Sequence, residues 1–288
     1  MAEMAARPVG ERGFGESLLW LVAICVTLAF FFPFYWAISQ GLRNPIDTFT
    51  VSGLGVPWLS FDPTLDNWIT QLSSPESRRA LANSTIVSVG ASVLALALGT
   101  PAAYALARFR FRRVPNIDIT IWFLSQRILP PVATVIPFYL VMRAFGLLDT
   151  QLALILVNAT FVLPFAVVIL RQTFLDLPLE LEEAVLVDGG TYRTAFMRVA
   201  LPLAAPSIAA TALISFAFSW NEFLFAITLS SRDSLTIPVF IAGSVDTRGV
   251  QFWFMAVRAL IAMVPPVLIA LLAQRYIVRG LTLGAVKG

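Results

Sequence analysis

The sequence predicts an all-α integral membrane protein with six transmembrane helices, and three observations support this fold class. Apolar residues make up 58% of the 288 residues, compared with about 45–50% in an average soluble domain. Charged residues contribute only 13%, about half of the usual share. Six separate stretches reach the roughly 20 mostly apolar residues that a membrane-spanning helix needs.

The six predicted spans are residues 17–40, 83–107, 117–142, 151–174, 203–229 and 252–277. We interpret the first as a retained helix and not a signal peptide, because its apolar run is too long and no cleavage motif follows. The chain then divides into a short N-terminal segment (1–16), a first helix with its following loop (17–82) and a five-helix core (83–288).

Basic residues predict the orientation of these spans. With the N-terminus inside, 12 of the 20 Lys and Arg residues fall on cytoplasmic segments and 6 on external ones. The cluster from Arg108 to Arg113 contributes most to this excess. Because cytoplasmic loops of membrane proteins are enriched in Lys and Arg, both termini are expected in the cytoplasm.

The residue inventory excludes several kinds of site. Histidine is absent and Cys25 is the single cysteine, so a zinc site, a disulfide framework and a Ser–His or Cys–His nucleophile cannot be built. We therefore predict no catalytic residue and no metal or cofactor bound by this chain. The net charge of +3 lies at segment ends, as membrane topology requires, so nucleic-acid binding is not expected.

The internal segment 175–202 reads as two short helices joined by a sharp turn. Three glutamates would begin the first helix, where negative charge is favoured, and Gly189 would end it in left-handed geometry. Thr191 can cap the second helix, which Pro202 would stop. From these residues alone, a solvated loop and a docking element remain equally good interpretations.

The spacing within this loop resembles a known pattern. The loop is similar to the EAA loop of ATP-binding-cassette (ABC) importer permeases. Its sequence is Glu183-Ala184-Val185, three residues, Gly189, nine residues and then Val199-x-Leu201-Pro202. That consensus is Glu-Ala-Ala, three residues, Gly, nine residues, then Ile-x-Leu-Pro. Val185 and Val199 depart from it conservatively.

The resemblance extends along the chain to the maltose-type carbohydrate permeases, and in particular to the shorter of their two subunits. The matching segments are Asn83-Ser84, Ala103-Tyr104-Ala105, Pro130-Pro131, Gly146-Leu147, Trp220-Asn221-Glu222-Phe223 and the tail from Gly280 to Gly288.

This resemblance implies a type I ABC importer permease in a bacterial or archaeal plasma (inner) membrane. It implies a second permease subunit of a different chain, two copies of a cytoplasmic ATPase and an extracytoplasmic sugar-binding protein. The two permeases would form the translocation path and work by alternating access on an oligosaccharide, disaccharide or polyol. Because this chain has no G-x-x-x-x-G-K-[ST] motif, ATP and Mg would be bound by the partner ATPase.

The resemblance also assigns residues to the ATPase contact. Glu183 would pair with a basic residue of the ATPase, and the tail 278–288 would reach the ATPase pair through Gly284 and Lys287. The external segment 230–251 would reach the binding protein. The residues expected in the coupling loop are Glu182, Glu183, Ala184, Asp188, Gly189, Arg193, Phe196, Leu201 and Pro202.

Three charged residues lie well inside predicted spans: Arg127, Glu222 and Arg258. Charges in lipid are costly and usually face a partner or a cavity. Glu222 and Arg258 are both about 10 Å below the outer surface at 1.5 Å per residue, so we predict that they pair. The alternatives are contact of Glu222 with Arg127 or with the partner subunit. Such a pair would either fix helix packing or gate the sugar path.

Candidates for sugar contact within the spans are Gln126, Asn158, Trp220 and Asn221. Polar groups combined with aromatic faces are typical of ligand sites, although such side chains equally serve as hydrogen-bonding groups between helices. Small residues such as Gly90, Ala95 and Gly99 enrich the second span. They predict close packing inside the bundle or, alternatively, against the second permease.

Two other classes of membrane protein fit the sequence less well. A self-sufficient secondary transporter usually has internal repeats and coupling-ion carboxylates near the membrane midplane. No repeat is visible in the sequence, and the one acid deep within a span, Glu222, is off-centre. A membrane-embedded enzyme would need paired intramembrane acids, a histidine or a metal cluster.

Overall fold

The structure is a computed structural model that describes residues 14–246 and 249–282. Two short antiparallel strands, β1 (Val245–Asp246) and β2 (Gly249–Val250), accompany its helices. The α-helices are α1 Phe14–Gly41, α2 Pro45–Thr50, α3 Asp66–Ser73, α4 Pro75–Arg108, α5 Asn116–Ser125, α6 Pro131–Ala144, α7 Gln151–Asp176, α8 Glu180–Val187, α9 Tyr192–Ala195, α10 Leu201–Trp220, α11 Leu224–Leu229, α12 Ile237–Ala242 and α13 Phe252–Thr282. A π-helical turn, Phe196–Ala200, joins α9 to α10.

Five helical stretches in the described part of the chain are long and apolar enough to cross a membrane: α1, α4, α7, the run Tyr192–Trp220, and α13. The third predicted span, 117–142, is wrong as one continuous helix, because it breaks into α5 and α6. Pro131 lacks an N–H group and clashes with the preceding turn. The two pieces have 10 and 14 residues, about 15 and 21 Å, so neither alone spans the hydrocarbon core.

The centre of the bundle is the packing of α4 against α7. Ala91, Ala95 and Ala103 on α4 are fully buried. A Cβ atom added to Gly99 would lie 3.1 Å from the Cβ atom of Ala166 on α7. The small residues of the second span therefore pack inside the bundle, which is the first of the two predicted arrangements.

Two apolar clusters lie at opposite ends of this helix pair. The outer cluster joins α4, α6, α7 and α11 through residues such as Val87, Leu154 and Phe225. The inner cluster joins α4, α7 and the π-helical turn with α10 through Ala103, Tyr104, Leu170, Phe174, Ala200 and Ala204. Because the inner cluster lies directly beside the segment 175–202, it determines where that loop sits.

The loop after α1 folds back over a buried arginine. Arg43 is 1% exposed, and its guanidinium lies 5.5 Å from the centre of the Trp36 ring and 5.2 Å from that of Phe61. Its Nη2 atom donates to the Ser39 hydroxyl, which in turn donates to the carbonyl of Gly55 at 2.7 Å. The Gly55 backbone therefore covers the Arg43 side chain.

Gly55→Ala is expected to destabilise the protein by about 2 kcal/mol more than Gly53→Ala, because it overpacks a filled site. Both glycines have positive φ, +58° and +72°, so the backbone strain is similar in the two variants. At Gly55 a Cβ atom would overlap the confined Arg43 guanidinium, whereas at Gly53 it meets nothing within 4 Å. Thermal unfolding in detergent measures the difference. Equal unfolding temperatures for the two variants would contradict this packing.

Candidate functional site

The segment between α7 and α10 forms the predicted helix–turn–helix. The helix α8 ends where Gly189 adopts a φ of +82°, and the N–H of Gly190 donates to the carbonyl of Val185 at 2.8 Å. The Thr191 hydroxyl accepts from the N–H of Thr194 at 3.3 Å and caps α9. The predicted glycine turn and threonine cap are both confirmed.

The prediction that Pro202 stops the second helix is wrong. Helix α9, the π-helical turn and α10 run without interruption from Tyr192 to Trp220. Within the turn, the N–H of Leu201 donates to the carbonyl of Phe196, five residues earlier. This wider turn accommodates a proline that has no N–H and would clash with a regular α-helical turn. The second arm of the loop is therefore continuous with the fifth span.

One face of the helix–turn–helix is exposed to solvent, and most of the predicted coupling residues lie on it. We call it the exposed loop face and define it as Glu183, Ala184, Asp188, Gly189 and Arg193. Pro202 is also exposed, whereas Phe196 and Leu201 are half-buried. The Phe196 ring packs inward, 4.7 Å from the Tyr104 ring.

Glu182, which was also expected in the coupling loop, lies in α8 but does not belong to this face. It is 4% exposed, and its Oε1 atom lies 2.9 Å from Nε and 2.8 Å from Nη2 of Arg108. Its Oε2 atom accepts from the Tyr104 hydroxyl at 2.6 Å. Since successive residues of an α-helix are about 100° apart, Glu182 faces the bundle while Glu183 faces solvent.

The predicted pair of Glu222 with Arg258 is also wrong. Glu222 lies in the break between α10 and α11, where its two carboxylate oxygens accept from the N–H groups of Phe225 and Ala226 at 2.8 and 3.0 Å. The first N–H groups of a helix have no partner within the helix, and a carboxylate satisfies them well. Glu222 therefore caps the start of α11 and does not pair with Arg258.

Arg258 instead ties the external loop to α13. Its Nε atom donates to Gln71 at 2.8 Å, and its Nη1 atom donates to the Phe240 carbonyl and the Ser244 hydroxyl, each at 2.9 Å. The guanidinium also lies 3.8 Å from the centre of the Phe240 ring. These contacts hold α3 and α12 against the start of the last span.

Arg127 lies at the break between α5 and α6. Its Nη1 atom donates to the carbonyl of Phe161 at 3.0 Å, and its guanidinium is 4.1 Å from the centre of the Phe165 ring. Within the described residues no carboxylate pairs with it. Together with Gln126 it borders a cavity of about 320 Å³ whose wall includes Trp122, Phe123, Thr160 and Phe161.

The four candidates for sugar contact divide into two groups. Gln126 and Asn221 are exposed and lie where helices break, after α5 and after α10. Asn158 and Trp220 are each 4% exposed; the Asn158 amide donates to the carbonyl of Leu154, and Trp220 stacks on Phe216. In this conformation the buried pair serves helix packing.

At the end of the bundle opposite the helix–turn–helix, the Asp149 carboxylate anchors the external loop between α11 and α12. Asp149 accepts from the backbone N–H groups of Ser231, Arg232, Asp233 and Ser234 at 3.0 to 3.2 Å, and from the hydroxyls of both serines. Burial raises the pKa of the Asp149 carboxyl. The N–H donors more than offset this effect and hold the pKa below its ordinary value. We call this arrangement the Asp149 anchor.

Asn83 supports the same loop from α4. Its amide nitrogen donates to the carbonyls of Asp233 and Leu235 at 2.8 and 2.9 Å, and its oxygen accepts from Gln151 at 2.7 Å. Sequence reasoning missed both Asp149 and this use of Asn83. Their partners lie 68 to 152 residues away along the chain, so no local pattern indicates them.

Residues 79–283 match the protein family described as "Binding-protein-dependent transport system inner membrane component". The chain belongs to this family. The matched region begins in α4 and includes the complete helix–turn–helix. Family membership therefore confirms the ABC importer permease identified from the EAA pattern, and this permease is a multi-pass membrane protein.

Curated relatives match along most of the permease. It is 34% identical to the probable ABC transporter permease protein y4oR of Sinorhizobium fredii, over 94% of this chain and 96% of that protein. It is 36% identical to the trehalose transport system permease protein SugB of Mycobacterium tuberculosis, over 89% and 92%. It is 33% identical to the trehalose/maltose transport system permease protein MalG of Thermococcus litoralis, over 94% and 96%.

Solved structures confirm the fold. The permease superposes with a TM-score of 0.74 on a chain of a bacterial ABC transporter involved in the import of the acidic polysaccharide alginate. The match covers 94% of this chain and 99% of that chain at 21% identity. A likeness at this identity shows the arrangement of helices, which is the predicted type I permease fold.

Proposed function

We propose that this permease imports a disaccharide, oligosaccharide or polyol across a bacterial or archaeal plasma membrane, powered by a partner ATPase. Its assembly would contain a second permease of a different chain, an extracytoplasmic sugar-binding protein and two copies of the ATPase, which bind ATP and Mg²⁺. The names of the relatives, which include transport systems for trehalose and maltose, support a sugar as substrate.

The observation that carries this proposal is the exposed loop face. It lies on the predicted cytoplasmic side, presents the acidic Glu183 and the basic Arg193 to solvent, and continues without interruption into α10. An ATPase bound there would move the loop when it closes on ATP. The motion would then reach the helices around the sugar path and change their access from outside to inside.

We place this permease's share of the sugar path at the helix breaks. The cavity beside Arg127 and Gln126 combines polar groups with the aromatic faces of Trp122 and Phe123, a combination that suits sugar hydroxyls and ring faces. Asn221 is exposed at the second break. The buried Asn158 and Trp220 would reach the path only after a change in helix packing.

Two further contacts complete the proposed assembly. The external segment 230–251 would meet the binding protein, and the Asp149 anchor and Asn83 hold its first residues in place. The tail residues Gly284 and Lys287 would meet the ATPase pair. They lie outside the described residues, so this contact depends on their match to the family's tail alone.

Glu183→Ala is expected to weaken co-purification of the ATPase about tenfold, because truncating one partner of a charge pair buried at an interface is costly. The permease would be co-expressed with candidate ATPase and permease partners and purified through a tag on this chain. Stimulated ATP hydrolysis should fall in parallel. Glu180→Ala is the matched control, since it removes another exposed acid from the same helix.

Two outcomes would contradict the proposal. One is an ATPase that binds the Glu183→Ala variant as tightly as the wild type. The other is a permease that purifies alone and moves sugar into vesicles without ATP, which would indicate a secondary transporter.

A further inference from the structure

Two ion pairs occur within the described residues, and only one of them is buried. Arg79 and Asp233 are both more than half exposed, whereas the Arg108 and Glu182 side chains are 8% and 6% exposed. Both oxygens of Glu182 are used, one by Arg108 and one by the Tyr104 hydroxyl. We call Tyr104, Arg108 and Glu182 the buried cluster.

The buried cluster connects α8 to two spans at once. Arg108 is the last residue of α4, and its Nη2 atom also donates to the carbonyl of Leu177 at 3.2 Å, directly after α7. The Tyr104 ring lies 5.4 Å from Phe174 of α7 and 4.7 Å from Phe196 of the π-helical turn. The ends of α4 and α7 and the π-helical turn therefore meet α8 at this point.

Short non-helical connections flank α8 at both ends. Residues 177–179 form a short connection at one end, and Gly189 forms the turn at the other. The helix has only eight residues, and the Glu183 side of it is exposed to solvent. A force applied to the exposed loop face would tilt α8 on its own unless its inner side is held.

A buried ion pair is poorly explained by stability alone. Well-packed apolar side chains of similar volume usually stabilise a protein as well or better, while an ion pair fixes geometry through directed hydrogen bonds. The Arg108 guanidinium makes directed contacts with both Glu182 and Leu177. This geometry sets one orientation of α8 relative to α4 and α7.

We propose that the buried cluster is a positioning element that makes α8 move as one body with α4 and α7 when the ATPase moves the exposed loop face. This role rests on the proposed function, because it concerns how ATPase motion reaches the spans. Glu183 would bind the ATPase, whereas the adjacent Glu182 would transmit the motion inward.

The test compares Glu182→Gln with Glu180→Gln in the complete complex, reconstituted in liposomes. We expect the Glu182→Gln permease to stay bound to its partner ATPase, and that ATPase to hydrolyse ATP. The amount of sugar transported per ATP should fall about tenfold, in the range of typical coupling free energies between sites. Glu180→Gln removes an exposed acid from the same helix and should leave this ratio unchanged.

Tyr104→Phe provides a milder variant in case Glu182→Gln assembles poorly. It removes the hydroxyl that donates to Glu182 and keeps both the ring and the ion pair, so it should lower the ratio in the same direction. A purely structural role would reduce the amount of complex in the membrane without changing sugar transported per ATP. An unchanged ratio in both variants would overturn the proposal.

Amide hydrogen exchange of the purified permease separates this inference from the proposed function. We expect the α8 amides to exchange about tenfold faster in Glu182→Gln than in Glu180→Gln, because local opening becomes easier. Unchanged exchange overturns the positioning role. A wild-type permease that binds no ATPase overturns the proposed function and, with it, the transmission of motion, whatever the exchange result.

Discussion

Arg108→Ala is expected to destabilise the permease by about 3–5 kcal/mol, because it leaves the Glu182 carboxylate buried without its cation. Glu182 would keep only the Tyr104 hydroxyl as a hydrogen-bond donor from α4. The measurement is thermal unfolding of the detergent-purified permease, together with its amount in the membrane.

Two variants make this prediction specific. Arg110→Ala removes a neighbouring arginine that is exposed, and it should change the unfolding temperature very little. The double variant Arg108→Met and Glu182→Leu replaces the buried pair with apolar side chains and should recover most of the lost stability. The interpretation is wrong if the double variant is no more stable than Arg108→Ala.

Asp149→Ala is expected to cost about 2–3 kcal/mol, because a charged acceptor of several backbone hydrogen bonds is lost. Residues 231–234 would lose their common partner, so the effect should concentrate in the external loop. Hydrogen exchange of these amides and thermal unfolding both measure it. Asp233→Asn is the control: Asp233 lies in the same loop and pairs with Arg79 on the surface, where an ion pair contributes little.

The pKa of Asp149 sets the pH range of this effect. Because the pKa is lower in the folded protein than in the unfolded chain, the carboxylate contributes its full stabilisation above its ordinary pKa of about 3.9. That contribution is lost as the pH falls further toward the folded value. The stability difference between wild type and Asp149→Ala should therefore be constant from about pH 5 to 8 and shrink below about pH 4. A difference that disappears near neutral pH would contradict the Asp149 anchor.

Local features of the site were predictable from the sequence. Gly189 and Thr191 determine a turn and a cap through their own backbone and side-chain chemistry, and the structure confirms both. Five of the spans likewise follow from apolar length. The predicted fifth span, 203–229, is wrong at its outer end, because its helix stops at Trp220 and the chain breaks before α11. The continuous third span failed because apolar composition says nothing about a helix break, although Pro130 and Pro131 marked its position.

Contacts between distant segments were not predictable in the same way. Glu222 and Arg258 share a depth in the membrane, but depth does not specify which side of a helix a residue faces or whether a helix end nearby needs its carboxylate. Glu182 carries no local sign that distinguishes it from Glu183. Its partner Arg108 is 74 residues away, and its position is fixed only when α4 packs against α7.

The π-helical turn has a mechanical consequence. Because it carries the chain past Pro202 without a break, Tyr192–Trp220 is one continuous helical run of 29 residues, about 43 Å long at 1.5 Å per residue. A tilt of about 10° around its cytoplasmic end displaces the Trp220 end by about 7 Å, by the geometry of a straight rod of that length. Small rotations at the membrane surface therefore become displacements of a sugar ring's width at the break that contains Asn221 and Glu222.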